Sequence, residues 1–143
     1  LRHYASVVGE EASLVAGAGA AGGVGYGVMA LLGATPQSGI ELVLDTIDFK
    51  NIIVGSDLVV TGEGCIDNQT LMGKAPAGVL RYAKAQNIPC IAIGGVVKWS
   101  EELRRSDFRA IYAATPQGMP LEEAMRVDVA ARNLCETAYK VTL

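Results

Sequence analysis

The chain has 143 residues, half of them hydrophobic but few aromatic, and its formal net charge is −3. This length and composition predict one domain with a real hydrophobic core and argue against a disordered chain. The negative charge and the lack of any run of Lys or Arg argue against nucleic acid or an anionic membrane as the partner.

The sequence shows no sign of a membrane span or a secretory signal. Its apolar stretches are interrupted by Gly, Asp or Pro, whereas a span needs about 20 apolar residues. The three cysteines include no CxxC pair and the only histidine is His3, so a zinc site is not expected. We therefore predict reduced thiols and a cytoplasmic location. The chain begins at Leu1 rather than Met, and we expect it to be part of a longer protein.

The first quarter of the chain is rich in small residues and is predicted to be helical. Leu1–Val8 carries an apolar stripe at helical spacing. The Gly/Ala-rich segment Gly17–Gly27 leads into a predicted helix over Val24–Leu32. Gly33 is placed to end that helix.

A further helix is predicted over Gly39–Thr46, because Ser38 and Glu41 have the spacing of a capping box. Its predicted inward stripe consists of Ile40, Val43, Leu44 and Ile47.

From Asp57 onward, short apolar runs alternate with helical patterns. The predicted strands are Leu58–Thr61, Cys90–Ile93 and Ala110–Ala113. Helices are predicted from Pro76, over Glu101–Arg105 behind a Ser100 cap, and from Pro120. The last helix is predicted to face the core with Leu121, Ala124, Met125, Leu134 and Ala138.

This alternation predicts an α/β fold. The strands lack polar alternation, which is typical of a sheet covered on both faces, and right-handed crossovers would make that sheet parallel. We therefore predict a Rossmann- or flavodoxin-like βαβ sheet with helices on both faces. Three strands are few for such a sheet, so further strands are expected from chain outside these residues.

The spacing Gly17-x-Gly19-x-x-Gly22 matches a dinucleotide-binding fingerprint, in which glycines let pyrophosphate approach a helix N-terminus. The preceding Leu14–Ala16 is a poor strand, however, and no clear second strand ends in an acidic residue about twenty residues later. Three interpretations stay open: small residues for close helix contact, a general anion site, or a true dinucleotide fold.

The strongest signal of chemistry is Thr61–Pro76, TGEGCIDNQTLMGKAP, between a predicted strand and a predicted helix. Open α/β sheets bind ligands at the carboxyl ends of their strands. Two carboxylates (Glu63 and Asp67) and Lys74 share this segment, which suits Mg²⁺ and phosphate. Further candidate binding residues here are Gly62, Gly64, Gln69, Thr70 and Gly73. A solvated surface loop is the alternative interpretation.

Four stretches together resemble the bacterial glycerate kinase family, in order and at natural spacing. They are GAGAAGGVGYG from Gly17, SGIELVLD from Ser38, DLVVTGEGCIDNQTLMGKAP from Asp57 and IPCIAIGG from Ile88. Members of this family phosphorylate D-glycerate with ATP, generally to 2-phosphoglycerate, and are considerably longer. The resemblance therefore implies a C-terminal portion of such an enzyme.

The resemblance implies two α/β domains with the active site between them. Residues 1–54 would belong to an inserted Gly-rich domain, and residues 55–143 to the Rossmann-like domain. Asp67 would act as base or metal-orienting carboxylate, Glu63 as second carboxylate, and Lys74 as the phosphate partner. Both carboxylates are candidate Mg²⁺ ligands, and their roles can be exchanged.

The remaining predicted contacts are to substrate and phosphate. Gln69 and Thr70 would orient glycerate, and the backbone of the segment containing Gly17, Gly19, Gly22 and Gly23 would hold phosphate or the substrate carboxylate. The chain departs from the family at Cys65, where a basic residue is common, and at Met72, where a histidine is common. Activity is expected to need the rest of the protein, and homodimer formation is left open.

Two rival functions stay open at this point. One is an NAD(P)-binding oxidoreductase module that uses the Gly17–Gly22 turn, which a fluorescence titration with NAD(P)H would detect. The other is a non-catalytic α/β interaction domain, which failure of the complete protein to bind ATP–Mg²⁺ or glycerate would favour.

Overall fold

The computed structural model describes residues 1–9 and 11–141. The chain divides into two compact units, Leu1–Ser38 and Gly39–Leu143, and each is described separately below. The predicted domain boundary after residue 54 concerns the complete protein and stays a prediction.

Unit 1 is a small helical body, as predicted. It contains α1 (Arg2–Val8), two short 3-10 turns and α2 (Val24–Leu32). Its core consists of Ala5, Ala18 and Tyr26, and the Tyr26 hydroxyl donates a hydrogen bond of 2.7 Å to the carbonyl oxygen of Gly9. Gly33 ends α2 in the left-handed conformation, which confirms its predicted role.

Unit 2 is a three-stranded parallel sheet with helices. Its elements are α3 (Gly39–Thr46), α4 (Phe49–Ile52), β1 (Val59–Ile66), α5 (Ala75–Ala85), β2 (Cys90–Val97), α6 (Glu101–Arg104), β3 (Ala110–Ala113), α7 (Leu121–Ala124) and α8 (Val127–Ala138). The strand order is β1-β2-β3. Val59 pairs with Cys90, and Ile91 pairs with Ala110. The predicted α/β class and the parallel pairing are confirmed.

The core of unit 2 joins the sheet to α5 and α6. Its most buried members are Ile66, Ala83, Ala92 and Leu103. Val79 and Leu80 of α5 pack against this cluster, and Ala83 of the same helix belongs to it. The Ser100 hydroxyl accepts a hydrogen bond from the Leu103 amide and caps α6, as predicted.

Two of the predicted strands are too short. β1 continues to Ile66 and β2 to Val97, because Cys65 and Ile66 pair with Val96 and Val97. The segment Thr61–Ile66 is therefore strand, and the connection to α5 begins only at Asp67. Glycines lower strand propensity, but here the neighbouring strand pairs with residues on both sides of Gly64, up to Ile66.

Two predicted apolar stripes are partly wrong. In α3, Leu44 is buried and Ile40 is half-buried, while Val43 and Ile47 are exposed. The last predicted helix is divided into α7 and α8, since Arg126 has extended backbone angles.

The buried face of α8 also differs from the predicted one. Val129, Asn133 and Thr137 form it, whereas Leu121, Ala124, Met125, Leu134 and Ala138 are not buried. Two of the three buried residues are polar, and the Thr137 hydroxyl donates to the Asn133 carbonyl at 2.8 Å. Hydrophobic periodicity alone does not mark such a face.

The close approach of β1 and β2 requires a glycine at position 62. A Cβ atom at this position would lie 2.3 Å from the carbonyl oxygen of Ile93. We expect Gly62→Ala to destabilise the protein by about 1–3 kcal/mol or more, since the clash is with backbone that cannot rotate away. Urea unfolding of the complete protein measures the effect.

Gly64→Ala is the matched control, since Gly64 lies in the same strand and nothing lies within 4 Å of its added Cβ. A stability change below about 0.5 kcal/mol is expected there. Equal stability of the two variants would contradict the steric explanation.

Candidate active site

Three charged side chains converge at the carboxyl end of β1. Glu63 lies within β1 opposite Gly94, Asp67 follows the strand, and Lys74 is the N-cap residue of α5. The Lys74 Nζ atom is 3.7 Å from Glu63 Oε2 and 3.9 Å from Asp67 Oδ1. The side chains of Glu63, Asp67 and Lys74 are 19%, 26% and 40% exposed, respectively. The site is thus open to solvent and yet close enough for all three charges to interact.

A capping box shapes the connection between β1 and α5. Asp67 precedes a 3-10 turn over Asn68–Met72, and its Oδ1 atom accepts a hydrogen bond of 2.9 Å from the Gln69 amide. The Asp67 amide donates to Thr70 Oγ1 at 3.0 Å. These reciprocal bonds fix the backbone of the turn and hold the Asp67 carboxylate towards Lys74.

The Thr70 side chain joins the Glu63 carboxylate to the backbone amide of Asp67. Thr70 has no exposed surface, and its hydroxyl donates a hydrogen bond to Glu63 Oε1. The other Glu63 oxygen, Oε2, is the one that faces Lys74. This placement favours a structural role for Thr70 over the contact with glycerate predicted above.

Two hydrogen bonds of the Asn68 side chain connect the turn to α6 and its cap residue. The Asn68 amide nitrogen donates to Glu102 Oε2 at 3.2 Å, and its Oδ1 atom accepts from the Ser100 hydroxyl. The pKa of Glu102 is lowered, mainly by a hydrogen bond from its own backbone amide and also by the bonds to Ser100 and Asn68. Sequence reasoning missed Asn68, because its partners lie more than thirty residues further along the chain.

A cavity of about 500 Å³ opens beside Glu63. Residues of β1, of β2, of the segment after β3, and of α7 and α8 line it. The predicted residues Gly62 and Gly64 are among them, together with the glycine pair Gly94 and Gly95. The volume is within the range typical of small-molecule sites.

A model of the glycerate kinase family matches residues 1–143. The chain belongs to the glycerate kinase family. The glycerate kinase of Bacillus cereus is 42% identical to it over 99% of this chain and 38% of that protein. The glycerate 2-kinase of Escherichia coli is 46% identical over 66% of this chain and 26% of that protein.

A crystal structure from Salmonella typhimurium LT2, assigned as glycerate kinase 2, is similar to the chain with a TM-score of 0.59 and 34% identity. The match covers 97% of this chain and 38% of that structure. The chain thus spans about two fifths of the length of these glycerate kinase relatives. The resemblance stated from the sequence, including its extent, is confirmed.

The glycine-rich segment of this family member lies in unit 1. Gly17 and Gly19 lie in a turn that follows one 3-10 segment, Gly22 and Gly23 lie in a second one (Ala20–Gly23), and the described part of unit 1 contains no strand. A Cβ atom at Gly25 would lie 2.2 Å from the Gly17 carbonyl oxygen. The strand that should precede a dinucleotide-binding fingerprint is therefore missing from the described part of unit 1. Close contact between backbone segments, as between Gly25 and Gly17, explains at least part of the glycine content. Phosphate binding by these glycines stays a prediction.

The donors of the site fit a magnesium ion better than a transition metal. No cluster of three or more His, Cys, Asp or Glu side chains occurs in the described residues. Mg²⁺ commonly takes only one or two protein carboxylates and completes its coordination with water and substrate phosphates. Glu63 and Asp67 match that requirement because they supply two carboxylates that are partly exposed.

No helix in the described part of this family member is long and apolar enough to cross a membrane.

Of the two family departures noted above, Cys65 is half-buried within β1 and Met72 is exposed. Among the predicted site residues, Gln69 is exposed and Gly73 ends the 3-10 turn with a φ of 100°.

Proposed function

We propose that the complete protein is an ATP-dependent glycerate kinase that acts on D-glycerate and gives 2-phosphoglycerate. The observation that carries the proposal is the convergence of Glu63, Asp67 and Lys74 at the carboxyl end of β1. Family membership supports the substrate, and the name of the relative from Escherichia coli supports the position of phosphorylation. The enzyme would work in the cytoplasm, where ATP is available.

The reaction joins a glycerate hydroxyl oxygen to the γ-phosphorus of ATP. The bond from that phosphorus to the β,γ-bridging oxygen breaks, ADP leaves, and the hydroxyl proton needs an acceptor. Such transfer depends mainly on in-line positioning and on cations that balance the charge of the phosphoryl group. The residues of the site supply both an acceptor and a cation.

Asp67 is the proposed proton acceptor. Its Oδ1 atom accepts a hydrogen bond from the Gln69 amide and lies 3.9 Å from Lys74 Nζ, and 26% of its side chain is exposed. Both Glu63 oxygens have partners: Thr70 for Oε1 and Lys74 for Oε2. Asp67 is the more exposed of the two carboxylates, at 26% against 19% for Glu63, and is therefore better placed to take a proton from substrate.

Lys74 and Mg²⁺ are the proposed partners of the triphosphate. Glu63 and Asp67 would hold the ion, which would supply positive charge to balance the phosphate oxygens. The Lys74 side chain is 40% exposed, and its Nζ atom lies 3.7 Å from Glu63 and 3.9 Å from Asp67. Gln69, which is exposed at the same turn, would contribute an amide group that orients glycerate.

A kinase assay of the complete protein tests this proposal. D-Glycerate and other small hydroxy acids are offered with ATP and Mg²⁺, ADP release is followed, and phosphorus NMR reads the position of the new ester. We expect glycerate to be preferred and the 2-phosphate to form. No turnover of glycerate, or preference for an unrelated hydroxy acid, would contradict the assignment.

The isolated 143-residue chain is expected to be inactive, because it spans about two fifths of the length of its relatives. ADP release by this chain, measured beside the complete protein at equal concentration, checks the expectation. Glycerate-dependent turnover by the isolated chain would contradict it.

A further inference from the structure

We propose that Thr70 is a positioning residue that orients Glu63, and through Glu63 the Lys74 ammonium, for phosphoryl transfer. The inference rests on the function proposed above. It departs from the role that the sequence suggested for Thr70, which was direct contact with glycerate. The threonine has no exposed surface, so its hydroxyl cannot reach a bound substrate without rearrangement of the turn.

The direction of the hydrogen bonds at Thr70 follows from the number of hydrogens and lone pairs on its hydroxyl group. A hydroxyl has one hydrogen and two acceptor lone pairs. The Asp67 amide donates to Oγ1 at 3.0 Å and therefore uses a lone pair. The single hydrogen is directed to Glu63 Oε1. An ionised carboxylate can only accept, so this arrangement suits Glu63 as an anion.

The position of Glu63 then determines what Lys74 faces. With Oε1 bound to Thr70, the Oε2 atom is turned to Lys74 Nζ, 3.7 Å away. Lys74 Nζ is also 3.9 Å from Asp67 Oδ1, and the Asp67 amide returns to Thr70. The contacts form a closed ring of four residues, in which Thr70 is the only buried neutral member.

A role limited to folding is the alternative, since Thr70 also belongs to the capping box of the turn. The two roles differ in their requirements. A capping role concerns the Asp67 amide and the stability of the turn, whereas a positioning role requires the proton that Thr70 donates to Glu63. Groups that orient a ligand or catalytic residue in this way typically change activity by about 10–100-fold when they are removed.

Thr70→Val and Thr70→Ser in the complete protein separate these roles. Valine keeps the size and branching of threonine but has no hydroxyl, whereas serine keeps the hydroxyl. For the valine variant we expect kcat to fall by about 10–100-fold, with the KM for glycerate changed by less than about 3-fold. Serine is expected to restore kcat to within about 5-fold of the wild type. Steady-state kinetics at saturating Mg²⁺ and thermal unfolding are measured for both.

Several results would overturn the positioning role. They are a valine variant with unchanged kcat, equal losses for valine and serine, or a valine variant whose main change is a raised KM for glycerate. Should Thr70→Val fail to fold, Thr70→Ala is compared with Thr70→Ser by the same criteria. Failure of the wild-type protein to phosphorylate glycerate would overturn the proposed function itself, so the two failures are distinct.

Discussion

Asp67→Asn in the complete protein is expected to lower kcat by about 10²–10⁴-fold, the usual contribution of a general base. The amide of asparagine cannot take a proton from the glycerate hydroxyl, and it removes one negative charge from the proposed Mg²⁺ site. We expect the KM values for glycerate and ATP to change much less than kcat, because the carboxylate acts on the hydroxyl that reacts.

The same substitution should leave folding almost unchanged. The Gln69 amide donates to Asp67 Oδ1, and asparagine retains an oxygen at that position. The Asp67 amide keeps its bond to Thr70, since that bond uses the backbone. We therefore expect a change of less than about 1 kcal/mol in the free energy of unfolding, measured by urea denaturation.

Asp107→Asn is the matched control. Asp107 lies before β3 and is paired with Lys84 at 2.6 Å, with both side chains about 60% exposed. An exposed pair contributes about 0–1 kcal/mol, and we expect kcat to stay within about 2-fold of the wild type. An Asp67→Asn variant with near wild-type kcat would remove the assignment of Asp67 as the base.

The parts of the fold that local chemistry controls could be predicted from the sequence. Gly33 ends α2 and Ser100 caps α6 in the structure, since both signals depend only on nearby backbone groups. The alternation of strand and helix from residue 57 onward likewise gave the parallel sheet. These features need no knowledge of distant residues.

The parts that depend on distant residues could not be predicted. β1 ends at Ile66 because this residue still pairs with Val97 of β2. The polar inward face of α8 depends on the residues that pack around Asn133 and Thr137. Propensity and hydrophobicity contain no information on either. The errors in strand length and in the α8 face have this common physical cause.

The same distinction between local signals and distant contacts applies to the candidate site. Glu63, Asp67 and Lys74 lie within twelve residues of one another in sequence, and their side chains do converge. The roles of Thr70 and Asn68 could not be inferred, because they depend on burial and on contact with α6. Residue types identified the chemistry, whereas the hydrogen bonds between them required the structure.

Lys74→Met is the second substitution for which a large effect is expected. We predict a fall of about 10²–10³-fold in kcat/KM, comparable with the loss of one preorganised group that stabilises charge in a transition state. Methionine retains an unbranched apolar chain of similar length but leaves Glu63 and Asp67 without the ammonium that now faces both. The phosphoryl group would then approach two carboxylates without the compensating charge of Lys74.

Lys84→Met is the control for this substitution, since Lys84 lies in the last turn of the same helix that Lys74 begins. Its side chain is 62% exposed and forms an ion pair with Asp107, so its loss should cost at most about 1 kcal/mol of stability and leave the kinetics unchanged. Steady-state kinetics with ATP and glycerate compare the two variants. Equal kcat/KM values for them would exclude Lys74 as the phosphate partner, because each substitution removes one positive charge from an end of the same helix and only the Lys74 ammonium faces Glu63 and Asp67.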